Sequence, residues 1–244
     1  MTGIRLHGTL RAGNAPLIRD LALDLPASGW SCLLGPSGVG KSTIARLIAG
    51  LDGPFRLDGT VQAADGRPLA GRVALMAQDG QLLPWADLVA NLTIGARLRG
   101  DRPDTERARA LLAQAGLAGL ERRRPGALSG GQRQRVALAR VLMEDCPVVV
   151  LDEPFSALDA ATRVAMQDLA ARLLTGRMVL LITHDPLEAV RLAHRAWLLG
   201  PEGAAPLALP EAAPPRDFRA PATLTAQARL LARLHGLEPA ACAG

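Results

Sequence analysis

Residues 30–49 hold the feature that constrains this chain most. An apolar run, Trp30-Ser-Cys-Leu-Leu34, leads into Gly35-Pro-Ser-Gly-Val-Gly-Lys41-Ser42-Thr43. A segment follows with Ile44, Leu47 and Ile48 on one helical face, closed by Gly50 and Gly53. Buried-type strand, glycine-rich loop and helix, in that order, are what a phosphate-cradling loop needs. The glycines let successive N–H groups turn inward onto phosphate oxygens, and the helix start adds its positive end. Lys41 can reach between the terminal phosphates, and the Ser42 hydroxyl can ligate Mg²⁺. The motif predicts nucleotide binding by Gly35, Pro36, Ser37, Gly38, Val39, Gly40, Lys41, Ser42 and Thr43. It leaves open which kind of nucleotide hydrolase this is.

Composition sharpens one of these positions. The chain has 28 basic residues, and Lys41 is the only lysine among them. A compact ammonium, rather than a planar guanidinium, is expected to be needed there. The net charge of +5 is arginine scattered along the chain. It reads as a general arginine bias, with attraction to a membrane surface as the second reading and no dedicated nucleic-acid face. Cys32, Cys146 and Cys242 are odd in number and fit no metal spacing, so they read as small apolar residues. The N-terminus shows no signal-peptide run, and the longest apolar stretches have strand length. A soluble cytoplasmic protein is therefore expected, with any membrane role exerted through a partner.

Further along, Val148-Val-Val-Leu-Asp152-Glu153 is a strand ending in two acids. Carboxylates at the carboxyl end of a parallel strand sit at the ligand crevice. Asp152 can bind the magnesium shell, and Glu153 can orient and deprotonate a water. Leu128-Ser129-Gly130-Gly131-Gln132 opens a helix, either as an ordinary capped start or as a second anion site. Two anion sites far apart beside one hydrolytic site suggest that the second serves another copy's nucleotide.

The rest is organised around these motifs. Strands are expected in 4–25, turning at Gly13-Asn14, and at 178–183. Helices are expected at 87–99, from Pro103-Asp104 to Gly116, from Ser129 through Leu142, at 160–174 and at 223–234. Glu121–Arg124 reads as a charged loop and 200–215, rich in Pro, Ala and Gly, as a linker. The fold class expected is α/β: a P-loop NTPase core with a mainly parallel sheet, an N-terminal antiparallel β-subdomain and a helical subdomain inserted at about 86–146. The nucleotide-binding domain is placed at 1–215 and a short helical tail at 216–244.

From Ile4 to Gly200 the chain resembles the ABC-type ATPases. Leu128–Gln132 matches that family's signature motif, Gln78 its Q-loop, Ser156-Ala-Leu-Asp159 its D-loop and His184 its switch histidine. The resemblance implies two subunits packed head to tail. Each ATP would lie between one phosphate loop and the partner's Ser129, Gly130, Gly131 and Gln132, with Asp159 contributing. It implies ATP and Mg²⁺ as cofactors, Glu153, His184 and Gln78 as catalytic residues, and Ser42, Gln78 and Asp152 around the metal. His7, His194 and His235 match no motif. The family's adenine-stacking aromatic is missing from Leu10–Ala15, where Arg11 is the candidate substitute.

A separate, minimal subunit resembles a bacterial importer's ATPase. The Gln81-Leu-Leu-Pro-Trp85 wording is similar to importers of nitrate, sulfonates, taurine and pyrimidine thiamine precursors. The expected partners are a second copy, an integral membrane permease and, indirectly, a periplasmic solute-binding protein. The expected place is the cytoplasmic face of the inner membrane. A nucleotide-dependent assembly or regulatory subunit that hydrolyses little is the alternative.

Overall fold

The computed structural model describes residues 3–236; Cys242 and the end of the expected tail lie outside them. Two sheets frame the molecule. β1 (Ile4–Ala12), β2 (Ala15–Leu25) and β4 (Phe55–Ala63) form an antiparallel sheet in the order β2-β1-β4. β3 (Gly29–Leu34), β5 (Val73–Met76), β6 (Val148–Asp152), β7 (Met178–Thr183), β8 (Arg195–Gly200) and β9 (Gly203–Leu207) form the second, ordered β5-β6-β7-β3-β8-β9. Its pairs are parallel except β8 with β9.

The central strands are buried on both faces because side chains alternate between two cores. Cys32, Leu34, Val149, Leu151, Val179 and Leu181 face the larger core, which the later helices cover. Leu33, Val148, Val150, Leu180 and Ile182 face a second core. That one is closed by α1 (Lys41–Ile48) and the antiparallel sheet, through Ile4, Leu6, Ile18 and Leu23. Each fully buried leucine here contributes about 1.5–3 kcal/mol.

Between β5 and β6 lies the helical insertion: α2 (Leu88–Leu92), α3 (Ile94–Arg99), α4 (Thr105–Gln114) and α5 (Gly130–Met143). Side chains start three of them. Asp87 accepts from Ala90 N–H, Asp104 from Arg107 N–H, and Ser129 and Gln132 form a reciprocal capping box. The expected single helix over 87–99 is broken at Thr93, whose hydroxyl donates back to the Val89 carbonyl at 2.9 Å; a β-branched residue that bonds backward bends a helix.

The expected linker over 200–215 also needs correction. Its first part forms β9, an edge strand whose Pro206 lies opposite Trp197. An edge position tolerates the missing N–H of proline, so the composition resembled a linker while the backbone paired. After β7 come α7 (Pro186–Leu192) and, past the strap over 208–220, α8 (Pro221–His235), which packs on α7 and buries Ala226, Leu230 and Leu234. α6 (Ala160–Leu173) starts at Asp159, which accepts from Thr162 N–H. Among the described residues no helix is long and apolar enough to cross a membrane.

Candidate active site

Strand register brings the motif residues together. Leu151 of β6 lies opposite Met76 of β5, and Asp152 lies opposite Ile182 of β7. The residues just beyond these ends, Gln78, Glu153 and His184, therefore leave the sheet side by side. Gln78 Nε2 is 3.5 Å from Glu153 Oε2, and His184 Nδ1 is 3.1 Å from Glu153 Oε1.

Glu153 reaches both partners from a left-handed backbone, φ 49°. For a side-chain-bearing residue this costs about 1–3 kcal/mol and persists only where the surroundings impose it. They do: Glu153 N–H donates to the Ile182 carbonyl at 2.9 Å. Its own carbonyl accepts from Gln134 Nε2 at 2.9 Å and Ser156 Oγ at 3.1 Å.

On the next strand, β3 ends at Leu34 and the phosphate loop turns into α1. Gly40 precedes the helix at φ 107°, and a Cβ there would press on Leu10, Leu17 and Ile18. Only glycine fits both the conformation and the space. Lys41 is 5% exposed and its Nζ donates to the carbonyls of Gly35 and Pro36, each at 2.8 Å. Burial holds its pKa below the ordinary lysine value, while Glu153 and Asp152 oppose that shift. Gly35 is buried, Ser37 and Gly38 are exposed, and Pro36, Val39 and Ser42 are partly covered; Thr43 is buried.

Asp152 is buried and its Oδ1 has no hydrogen-bond partner. Burial raises its pKa, against a hydrogen bond from the Ser42 side chain. A buried carboxylate oxygen beside a hydroxyl could serve as part of an oxygen-ligand set for a hard cation.

Ser129, Gly130, Gly131 and Gln132 stand apart at the head of α5. Ser129 N–H donates to Gln132 Oε1 at 2.9 Å, and Gln132 N–H to Ser129 Oγ at 3.2 Å. Gly131 lies against the Ala157 carbonyl, 3.2 Å from where a Cβ would sit. Asp159 is exposed, and its hydrogen bonds with Thr162 keep its pKa low. Arg11, the candidate adenine partner, is bonded to Asp58 and the Asn14 carbonyl. His194 accepts from Trp30 N–H at 3.0 Å, a structural contact.

A family model described as ABC transporter matches residues 18–156. The chain belongs to the ABC transporter family. It is 43% identical over 227 residues to an "Uncharacterized ABC transporter ATP-binding protein" of Haemophilus influenzae, covering 90% of this chain and 93% of that one. It is 46% identical over 195 residues to "Aliphatic sulfonates import ATP-binding protein SsuB 1" of Rhodococcus jostii, covering 79% and 77%. A Streptomyces avermitilis relative, "Aliphatic sulfonates import ATP-binding protein SsuB 2", is 41% identical over 235 residues, covering 95% and 90%. The fold matches the "Dimeric structure of a post-hydrolysis state of the ATP-binding cassette MJ0796 bound to ADP and Pi" at TM-score 0.72 and 26% identity, over 89% of this chain and all of that one. This ABC subunit is an ATP-binding ATPase.

Several residues that shape the ABC site escaped the sequence reading. Gln134 is buried on the α5 face it shares with Leu138 and Val141, a polar position at helical spacing inside an apolar stripe. Arg140 donates to the carbonyls of Gly80 and Gln81, each at 2.8 Å, tying α5 to the loop that carries Gln78. Glu188, on α7, is buried and accepts from Thr183 Oγ1, beside His184 in the chain, at 2.7 Å. Burial raises its pKa to about 7.

Proposed function

We propose that the chain powers a bacterial importer of small organic sulfonates, working as a head-to-tail pair beneath a separate permease. The observation that carries the hydrolytic part is the Gln78–Glu153–His184 cluster beside the buried Lys41–Ser42–Asp152 group. Lys41, the loop N–H groups and the start of α1 hold the phosphates. Glu153 accepts the proton of the attacking water, and Gln78 orients that water. His184 donates to the γ-phosphate as negative charge shifts onto it. Ser42, Asp152 and Gln78 fit Mg²⁺, on the strength of the open, buried Asp152 Oδ1. When bound, the ion would draw charge from the β- and γ-phosphate oxygens.

The dimeric neighbour supports pairing. In a head-to-tail pair, Ser129, Gly130, Gly131 and Gln132 would cap the partner's ATP, with Asp159 at the shared edge. Relatives named for aliphatic sulfonate import support the solute class. A periplasmic binding protein would deliver the solute, and the subunit would sit peripherally at the inner membrane's cytoplasmic face. A regulatory subunit that hydrolyses little is disfavoured, because it has no use for a strained, well-partnered Glu153.

Size-exclusion chromatography of Glu153→Gln tests the mechanism. The variant should hold Mg-ATP, lose about 10²–10⁴-fold in turnover and run as an ATP-dependent dimer. Adding Ser129→Arg should return it to monomer. Normal turnover in Glu153→Gln would sink the base assignment, and an inactive but monomeric variant the shared site. The solute class is tested by deleting the gene and supplying an alkanesulfonate as sole sulfur source, where growth should stop.

A further inference from the structure

Gln134 lies on the second turn of α5 and is 7% exposed. Both ends of its amide are used. Nε2 donates to the Glu153 carbonyl at 2.9 Å and toward Ser156 Oγ at 3.1 Å. Oε1 accepts from Ala157 N–H at 2.8 Å. Ser156 Oγ in turn donates to the same Glu153 carbonyl at 3.1 Å. A planar amide offers a donor and an acceptor from one uncharged group, which these two opposed backbone partners require. The peptide it grips follows the left-handed Glu153, so its grip falls on the backbone that aims the carboxylate.

We propose that Gln134 is a positioning residue. It sets the direction of the Glu153 carboxylate from the helix whose head is Ser129–Gly131. The proposal rests on Glu153 acting as the base and on head-to-tail pairing. In such a pair the head of α5 meets one ATP while the same chain's Glu153 acts on the other. Gln134 bonds to the backbone of Glu153 and Ala157 from the same continuous helix that Ser129 caps and Gly130–Gly131 open. A shift at the helix head is therefore delivered to Glu153.

The test is Gln134→Glu in the full chain, assayed beside Glu153→Gln. The variant keeps size and the acceptor for Ala157 N–H, but turns an oxygen toward the Glu153 carbonyl. We expect kcat to fall about 10–100-fold, the scale of a misaimed reacting group. ATP affinity should stay within about threefold, because the phosphate contacts are shared by ground and transition states. The loss should shrink as pH falls from 8 to 6, since the protonated carboxyl regains a donor. A merely structural role would lower binding and kcat together with the melting temperature and show no recovery with acid.

Wild-type kcat in Gln134→Glu, with Glu153→Gln inactive, overturns the proposal while sparing the base. An active Glu153→Gln overturns the base first and the proposal with it. If Gln134→Glu does not fold, Ser156→Ala is read the same way. A lower kcat with intact ATP binding supports the clamp on Glu153, and an unchanged kcat rejects it.

Discussion

Glu153 and His184 face one another at 3.1 Å from the ends of neighbouring parallel strands. The contact depends on the backbone turn at Glu153: its φ of 49° swings the carboxylate across the strand ends. His184 is about half exposed while Glu153 is largely covered. The imidazole therefore forms the outer wall of the site and the carboxylate the inner one. A water placed between Glu153 and a γ-phosphate would be screened from solvent on the His184 side.

Lys41→Arg should cut ATP turnover by about 10²-fold or more, the cost typical of losing one preorganised donor. Two carbonyls converge on the single Nζ point at 2.8 Å, and a planar fork cannot satisfy both from the same buried channel. Steady-state phosphate release checks this. Near-normal rates in the Arg variant would show that charge alone suffices.

Glu188 makes stability depend on pH. Burial is the main cause of its rise to about 7, with Asp185 and Glu153 adding to it and the Thr183 hydrogen bond and Arg163 opposing. The folded state therefore holds this proton more tightly than the unfolded chain does. The stabilisation is full below about pH 4.5 and is lost as pH rises through 7, by up to about 3 kcal/mol. Glu188→Gln should remove that slope and be the more stable protein at pH 8. Urea unfolding of both proteins at pH 6 and pH 8 decides it, and parallel curves would count against the shift.

Arg216 ties the strap before α8 to the body. It is buried, with Nη1 donating to the Val190 and Ala193 carbonyls at the end of α7, and Nε and Nη2 to the Pro210 carbonyl. Arg216→Ala strands three carbonyls. A loss of about 2–3 kcal/mol should lower the melting temperature by about 5–10 °C. Limited proteolysis should then cut first within 208–220. An unchanged melting temperature would mean that water replaces the guanidinium.

Trp85 is 70% exposed beside an exposed Pro84, while Leu82 packs into the core. An exposed indole next to the Gln78 loop is a surface suited to a permease loop. Trp85→Ala should leave the isolated subunit's ATPase within about twofold of wild type, as expected of a surface change. Permease-dependent transport should fall sharply. Wild-type transport in reconstituted vesicles would place the docking surface elsewhere.

Motifs with a fixed chemical spacing were legible in the sequence. The phosphate loop, the Asp152-Glu153 strand end and the Ser129 cap each state their backbone context locally, and the folded chain places each at the expected element end. Elements without such marks were missed. β4 reads Phe-Arg-Leu-Asp-Gly-Thr-Val-Gln-Ala and exposes most of its side chains, so it pairs through backbone rather than through a clear apolar stripe. β5 has four residues, too few to show a period. Gln134 escaped because its role is to satisfy backbone groups of a distant turn, and one-dimensional spacing does not show which carbonyls will be in reach.

A last consequence follows from the lone lysine. Lys41 is the only side-chain amine in the protein, and it lies inside the phosphate loop with a lowered pKa. The outer surface offers acylating agents no ε-amino group, so an amine-directed reagent that modifies a side chain in this protein reports on the loop itself. Protection of that one amine by ATP, followed by mass spectrometry, would read site occupancy residue by residue without any engineered label.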